Sequence, residues 1–116
     1  MNLKVYINPK CSKSRKLLAA LDEKNISYEA IDYIEKGISK EEIFALSRAL
    51  NLSVSKFVRS KEPVFSELVV NWDQDDEAAN AIADNPILLE RPIVIERDKA
   101  LIARSSEAIE EVLKMK

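Results

Sequence analysis

The chain holds one cysteine, Cys11, six arginines (Arg15, Arg48, Arg59, Arg91, Arg97 and Arg104) and no histidine. A thiolate is a nucleophile, and a guanidinium is a planar fork of donors that stays charged at any working pH. The chemistry on offer is therefore attack by one sulfur on a group that arginines hold, and an oxyanion fits that description best. The absence of histidine removes the usual neutral-pH base and the commonest metal ligand, so zinc catalysis and histidine-dependent triads are excluded and no metal site is expected. A single cysteine cannot close a redox cycle inside the chain, and an oxidised Cys11 needs an external thiol. Ser14 stands where a CxxC motif would place its resolving cysteine, which excludes the two-cysteine thioredoxin mechanism.

Several neighbours of Cys11 favour the thiolate. Lys10, Lys13 and Arg15 add positive charge, Ser12 and Ser14 offer hydroxyl donors, and a helix start at this point would add unpaired backbone N–H groups. The competing reading, a small buried hydrophobe, is the common fate of a free cysteine, but the polar flanks and the adjacent Asn8-Pro9 corner argue for exposure. Spacing alone does not say which arginines converge on the sulfur. Arg91 precedes Pro92. In the fold that the element order below predicts, this pair opens the third strand facing the helix start with Cys11. A cis peptide is expected there, the alternative being a trans proline that starts an edge strand.

The elements that must position these groups follow from periodicity. Residues 3–7 alternate and are rich in strand formers, and Asn8-Pro9 ends that strand. From Lys10 the apolar spacing becomes helical through Leu17, Leu18 and Leu21 as far as Asn25, which places Cys11 at a strand-to-helix corner. Residues 27–33 alternate again and predict a second strand parallel to the first, because a helix lies between them. Gly37 ends that segment, and Ser39 with Glu42 forms a capping box for a helix to about Leu50. Ser53 is positioned to cap a short helix carrying Val54, Phe57 and Val58, and residues 74–84 are helical by pattern. Residues 93–96 and 101–103 read as strands joined by Arg97-Asp98-Lys99, and Ser105 or Ser106 caps a terminal helix. The order predicts an α/β fold with a mixed four-stranded sheet, a thioredoxin-like core of βαβ then ββα. A helical insertion at about 39–90 is expected within a single domain spanning 1–116.

A chain of 116 residues and 13.2 kDa suits one core. With 47% hydrophobic and 33% charged residues it is not of disordered composition. A net charge of -2 excludes a general nucleic-acid binder, and the apolar runs are too short for a membrane span or a signal peptide. Together with the lone thiol, this points to a cytoplasmic protein with no nucleic-acid or membrane partner. Residues 1–16 hold five bases and no acid, whereas residues 62–90 hold eight acids and no base. The acidic group Asp73, Asp75, Asp76 and Glu77 reads as a solvated helix start.

Four segments in order carry a resemblance: residues 8–15 (Asn-Pro-Lys-Cys-Ser-Lys-Ser-Arg), Phe57-Val58-Arg59, residues 85–94 ending in Arg91-Pro92-Ile93-Val94, and residues 104–107 (Arg-Ser-Ser-Glu). Together they resemble the glutaredoxin-coupled arsenate reductases, the ArsC-like family. The resemblance implies a thioredoxin-like fold in which Cys11 attacks arsenate while Arg59, Arg91 and Arg104 hold the oxyanion, supported by Asn8, Ser14 and Pro92. It also implies glutathione as co-substrate with no bound cofactor, and glutaredoxin as the partner that clears the resulting mixed disulfide. Two positions depart from the family pattern: Ile7 stands where a histidine often precedes the Asn-Pro pair, and Ser105 where proline often follows the third arginine. Two other readings use the same thiol. One is a regulator resembling the Spx-type proteins that bind RNA polymerase, which typically switch through CxxC. The other is a glutathione-linked thiol protein without arsenate activity.

Overall fold

In the computed structural model, residues 3–115 are described. In chain order the regular elements are strand β1 (Leu3–Ile7), helix α1 (Ser12–Glu23), strand β2 (Tyr28–Asp32), helices α2 (Tyr33–Lys36), α3 (Lys40–Leu50), α4 (Pro63–Glu67) and α5 (Asp75–Asp84), strands β3 (Ile93–Glu96) and β4 (Lys99–Ile102), and helix α6 (Ser106–Lys114). Two 3₁₀ turns, Val54–Phe57 and Pro86–Leu88, flank the α4–α5 region. The chain divides into two compact units, one built from residues up to 36 together with those from 91 onward, the other from 37–90.

The first unit is the mixed four-stranded sheet with its helices, and the thioredoxin-like α/β fold expected from the element order is the fold observed. The strand order is β2-β1-β3-β4. β1 runs parallel to β2, with Val5 opposite Ala30, and antiparallel to β3, with Val5 opposite Val94. A central strand is covered on both faces and reads apolar almost throughout, and in β1 only Lys4 is exposed. Leu3, Val5 and Ile7 pack with Leu17 and Leu21 of α1, Val94 of β3 and Ile109 and Val112 of α6. Truncating a leucine such as the fully buried Leu17 to alanine removes about 2–5 kcal/mol in such a core. That core fixes where β1 ends and α1 begins, and so fixes the corner that carries Cys11.

The second unit is helical. α3 and α5 pack on each other through the buried Ile43 and Leu46 on one side and Ala78 and Ile82 on the other. Phe57, fully buried, closes this core from the first 3₁₀ turn. Lys40 and Asp76 form an ion pair at 2.6 Å, and Asp75 Oδ1 accepts from the Val54 N–H at 3.2 Å. The acidic group at 75–77 does form the first turn of α5, where anionic side chains suit the positive end of the helix. Gly37 sits at φ 82° with open space around it, so it is the backbone conformation that calls for glycine there, not crowding.

The elements depart from expectation at four places. Tyr33, assigned to the second strand, opens α2 instead, where Asp32 Oδ1 accepts from the N–H groups of Ile34 and Glu35 and turns the chain into a helix. The last strand, expected over 101–103, spans Lys99–Ile102, with Lys99 paired with Glu96 and Ala103 beyond its end, so the hairpin turn is only Arg97-Asp98, with Arg97 at φ 59° in place of the usual glycine. Ser53 precedes its 3₁₀ turn without a side-chain capping bond. α4, opened by Pro63 at its first turn, is too short to show a periodicity. Among the described residues, no helix is long and apolar enough to cross a membrane.

Candidate active site at the start of the first helix

Cys11 is the N-cap residue of α1, in extended backbone conformation and half-buried. The loop before it is held by Asn8, itself buried. The Asn8 carbonyl accepts from the Cys11 N–H at 2.9 Å, and its side-chain Oδ1 accepts from the Lys10 N–H at 3.0 Å, an Asx-type turn. Its own N–H donates to Ser14 Oγ at 3.3 Å. Ser14 has no exposed surface. Its hydroxyl accepts from Asn8 and donates to the Cys11 sulfur, a relay from backbone to thiol.

Burial alone would push the Cys11 thiol up. The Ser14 N–H, the Arg91 guanidinium, the Lys13 N–H and the Ser14 hydroxyl are all directed at the sulfur; together they outweigh burial and bring its pKa down to about 7. The lowered pKa was expected; its source was only partly foreseen. Lys13 acts through its backbone N–H, and the ammonium groups of Lys10 and Lys13 are not among the causes. The Arg15 guanidinium donates to the Pro9 carbonyl at 3.3 Å from an exposed position and bolts the loop in place.

Arg91 is 6% exposed and brings its charge to the thiol from the segment preceding β3. The Arg91-Pro92 peptide is cis, as expected from the sequence. Pro92 offers its carbonyl to the Ala103 N–H at 2.9 Å, and Arg104 Nη1 donates to the Arg91 carbonyl at 2.8 Å. Asn8, Cys11, Ser14, Arg91, Pro92 and Arg104 thus all belong to the sheet unit.

Arg59 belongs to the helical unit. Its Nε donates to Glu62 Oε2 at 3.1 Å and its Nη1 to Glu90 Oε1 at 3.3 Å. Its backbone N–H donates to the Leu88 carbonyl at 2.7 Å, beside the bridge between Val58 and Leu89. Sequence reasoning missed both carboxylates. Glu62 had a signal, three residues after Arg59; Glu90, 31 residues away, had none.

The family model described as the ArsC family matches residues 6–112. The chain belongs to the ArsC family. The arsenate reductase of Neisseria meningitidis serogroup A is 39% identical to it, over 96% of this chain and 97% of that one. The arsenate reductase of Haemophilus influenzae is 37% identical, over 97% and 100%. Among solved structures, the arsenate reductase from Vibrio cholerae superposes with a TM-score of 0.85 at 38% identity, covering 100% of this chain and 98% of that chain. The two departures from the ArsC family pattern have structural counterparts. Ile7 ends β1 as part of the sheet-unit core, and the thiol reaches a pKa of about 7 without a histidine at that position. Ser105 is the N-cap of α6, its hydroxyl accepting from the Ala108 N–H at 3.0 Å, a bond that proline has no side chain to make.

Proposed function

We propose that this chain is an arsenate reductase that uses Cys11 as its nucleophile and takes its reducing thiols from outside. The observation that carries this reading is the thiol itself, at a pKa of about 7 under the Arg91 guanidinium at the start of α1, in a chain 37–39% identical to proteins named arsenate reductases. About half of such a thiol is ionised at neutral pH, enough for attack without a separate base.

Arsenate binds as a phosphate-like anion, for which the family motif assigns Arg59, Arg91 and Arg104. The guanidinium charges offset repulsion between thiolate and oxyanion and stabilise charge on the arsenic oxygens as the adduct forms. The Cys11 sulfur bonds to arsenic, and an arsenic–oxygen bond breaks with a protonated oxygen leaving as water. Glutathione thiolate then attacks the Cys11 sulfur. The sulfur–arsenic bond breaks with its electron pair left on arsenic, which falls from arsenic(V) to arsenic(III) and departs as arsenite. Cys11 is left as a mixed disulfide with glutathione, and glutaredoxin thiolate attacks the glutathione sulfur to release the Cys11 thiolate. Ser14 and Asn8 keep the sulfur oriented throughout.

The test couples arsenate to NADPH oxidation through glutathione, glutaredoxin and glutathione reductase. Arsenate-dependent oxidation that disappears in Cys11→Ser is the expected result. Wild-type protein giving no oxidation above background would reject the reading.

A further inference from the structure

Arg104 Nη1 donates to the backbone carbonyl of Arg91 at 2.8 Å, while the Arg91 guanidinium faces the Cys11 sulfur. The two arginines are 13 residues apart, on either side of the β3–β4 hairpin. One residue earlier, the Ala103 N–H donates to the Pro92 carbonyl at 2.9 Å. Residues 103 and 104, just after β4, therefore grip the carbonyls of residues 91 and 92, just before β3. The hairpin register brings the two segments together, with Ile93 opposite Ile102. The Ala103 contact is a backbone bond that any residue could make. The Arg104 contact needs a long side chain with a charged donor, which forms a stronger bond to a carbonyl than a neutral donor does.

We propose that Arg104 is a positioning residue: its grip on the Arg91 carbonyl fixes the backbone from which the Arg91 side chain reaches the Cys11 sulfur. This rests on the reading of Cys11 as the nucleophile, and it adds to the oxyanion role that the motif assigns to Arg104. A cation whose only part was to meet the oxyanion would act on substrate binding and leave the free thiol alone. Arg104 acts on the thiol before any substrate arrives. The other charged side chains near Cys11 in its own segment, Lys10, Lys13 and Arg15, are exposed, and Arg15 is turned to the Pro9 carbonyl. Arg91 is thus the guanidinium through which Arg104 reaches the sulfur.

The experiment is the pH profile of iodoacetamide alkylation at Cys11, with no arsenate present. It compares wild type, Arg91→Ala, Arg104→Ala, Arg104→Lys and the Arg91→Ala/Arg104→Ala double variant. The wild-type midpoint is expected at about 7. Arg104→Ala should move it upward in the same direction as Arg91→Ala. The double variant should match Arg91→Ala, because Arg104 has nothing left to position. Arg104→Lys, which keeps a charged donor able to reach a carbonyl, should return most of the shift and guards against misfolding of the alanine variant. An unchanged midpoint in Arg104→Ala would overturn the proposal. So would shifts that add in the double variant, since additivity marks a direct charge effect on the sulfur. The readout is independent of turnover, so a wild type without arsenate reduction would sink the functional reading and leave this result standing on its own.

Discussion

The first turns of α1 and α3 are treated in opposite ways. α3 is sealed: Ser39 Oγ accepts from the Glu42 N–H at 3.1 Å, Glu42 Oε1 accepts from the Ser39 N–H at 3.0 Å, and Glu41 and Glu42 lie in the positive first turn. α1 has no acid in its first turn, carries Lys13 and Arg15 there, and is capped by a cysteine that makes no regular side-chain capping bond. Its N–H groups at Lys13 and Ser14 are directed at the sulfur instead, where they stabilise the anion. The helix start that carries the thiol gives up the interactions that would stabilise it as a helix start. The largest effect that tests this contrast is at Ser14. Ser14→Ala leaves the Asn8 N–H without its acceptor in a buried setting and removes a donor from the thiol. The expected outcome is a loss of about 2 kcal/mol in urea unfolding, with the alkylation midpoint moving up from about 7. A variant that lost stability but kept its midpoint would reduce Ser14 to a packing residue.

The sealed helix gives the next effect in size. Ser39→Ala removes one bond of the capping box and loosens the other, which costs about 1 kcal/mol. Because this box lies in the helical unit, the Cys11 alkylation profile of Ser39→Ala should be that of wild type. Stability falling with reactivity unchanged, set beside Ser14→Ala where both change, would separate the two kinds of helix start experimentally.

Much of this was legible in the sequence because it is local. The Ser39–Glu42 box, the strand-to-helix corner at Cys11 and the parallel β1–β2 pair follow from spacing and turn chemistry within a few residues. The hairpin turn was read one residue too long, and the strand after it two residues late, because Arg97 adopts a positive φ that its residue type does not announce. The hidden features were contacts between distant segments. Nothing near Arg104 signals that its guanidinium grips the carbonyl of Arg91, and nothing near Arg59 signals Glu90. The flanking lysines suggested the right direction for the thiol pKa, but most of the cause lies in backbone N–H groups and in a guanidinium brought from the far side of the sheet unit's sequence. Sequence patterns report helix and strand periods well. They do not report which donor a folded loop aims at a sulfur.

The smallest effect tests the contrast at its source. In Cys11→Ser the hydroxyl caps α1 as Ser39 caps α3, so the helix start that gave up its cap regains one. At pH 6 the variant should be more stable than wild type by about 0.5 kcal/mol, the low end of capping effects, while being inert to alkylation. The pH dependence follows from the sign of the thiol shift. Folding lowers the thiol pKa, so ionisation stabilises the wild-type fold. That contribution is complete above the unfolded-state thiol pKa of about 8.5, and it is lost as pH falls through about 7. The stability advantage of Cys11→Ser should therefore be greatest below pH 7 and turn into a deficit between about 7 and 8.5, where the wild type gains its thiolate, because a thiol pKa lowered from about 8.5 to about 7 outweighs a cap of this size. An advantage that stayed constant across this window would mean that the fold does not favour the anion, and the opposition between the two helix starts would then be one of capping alone.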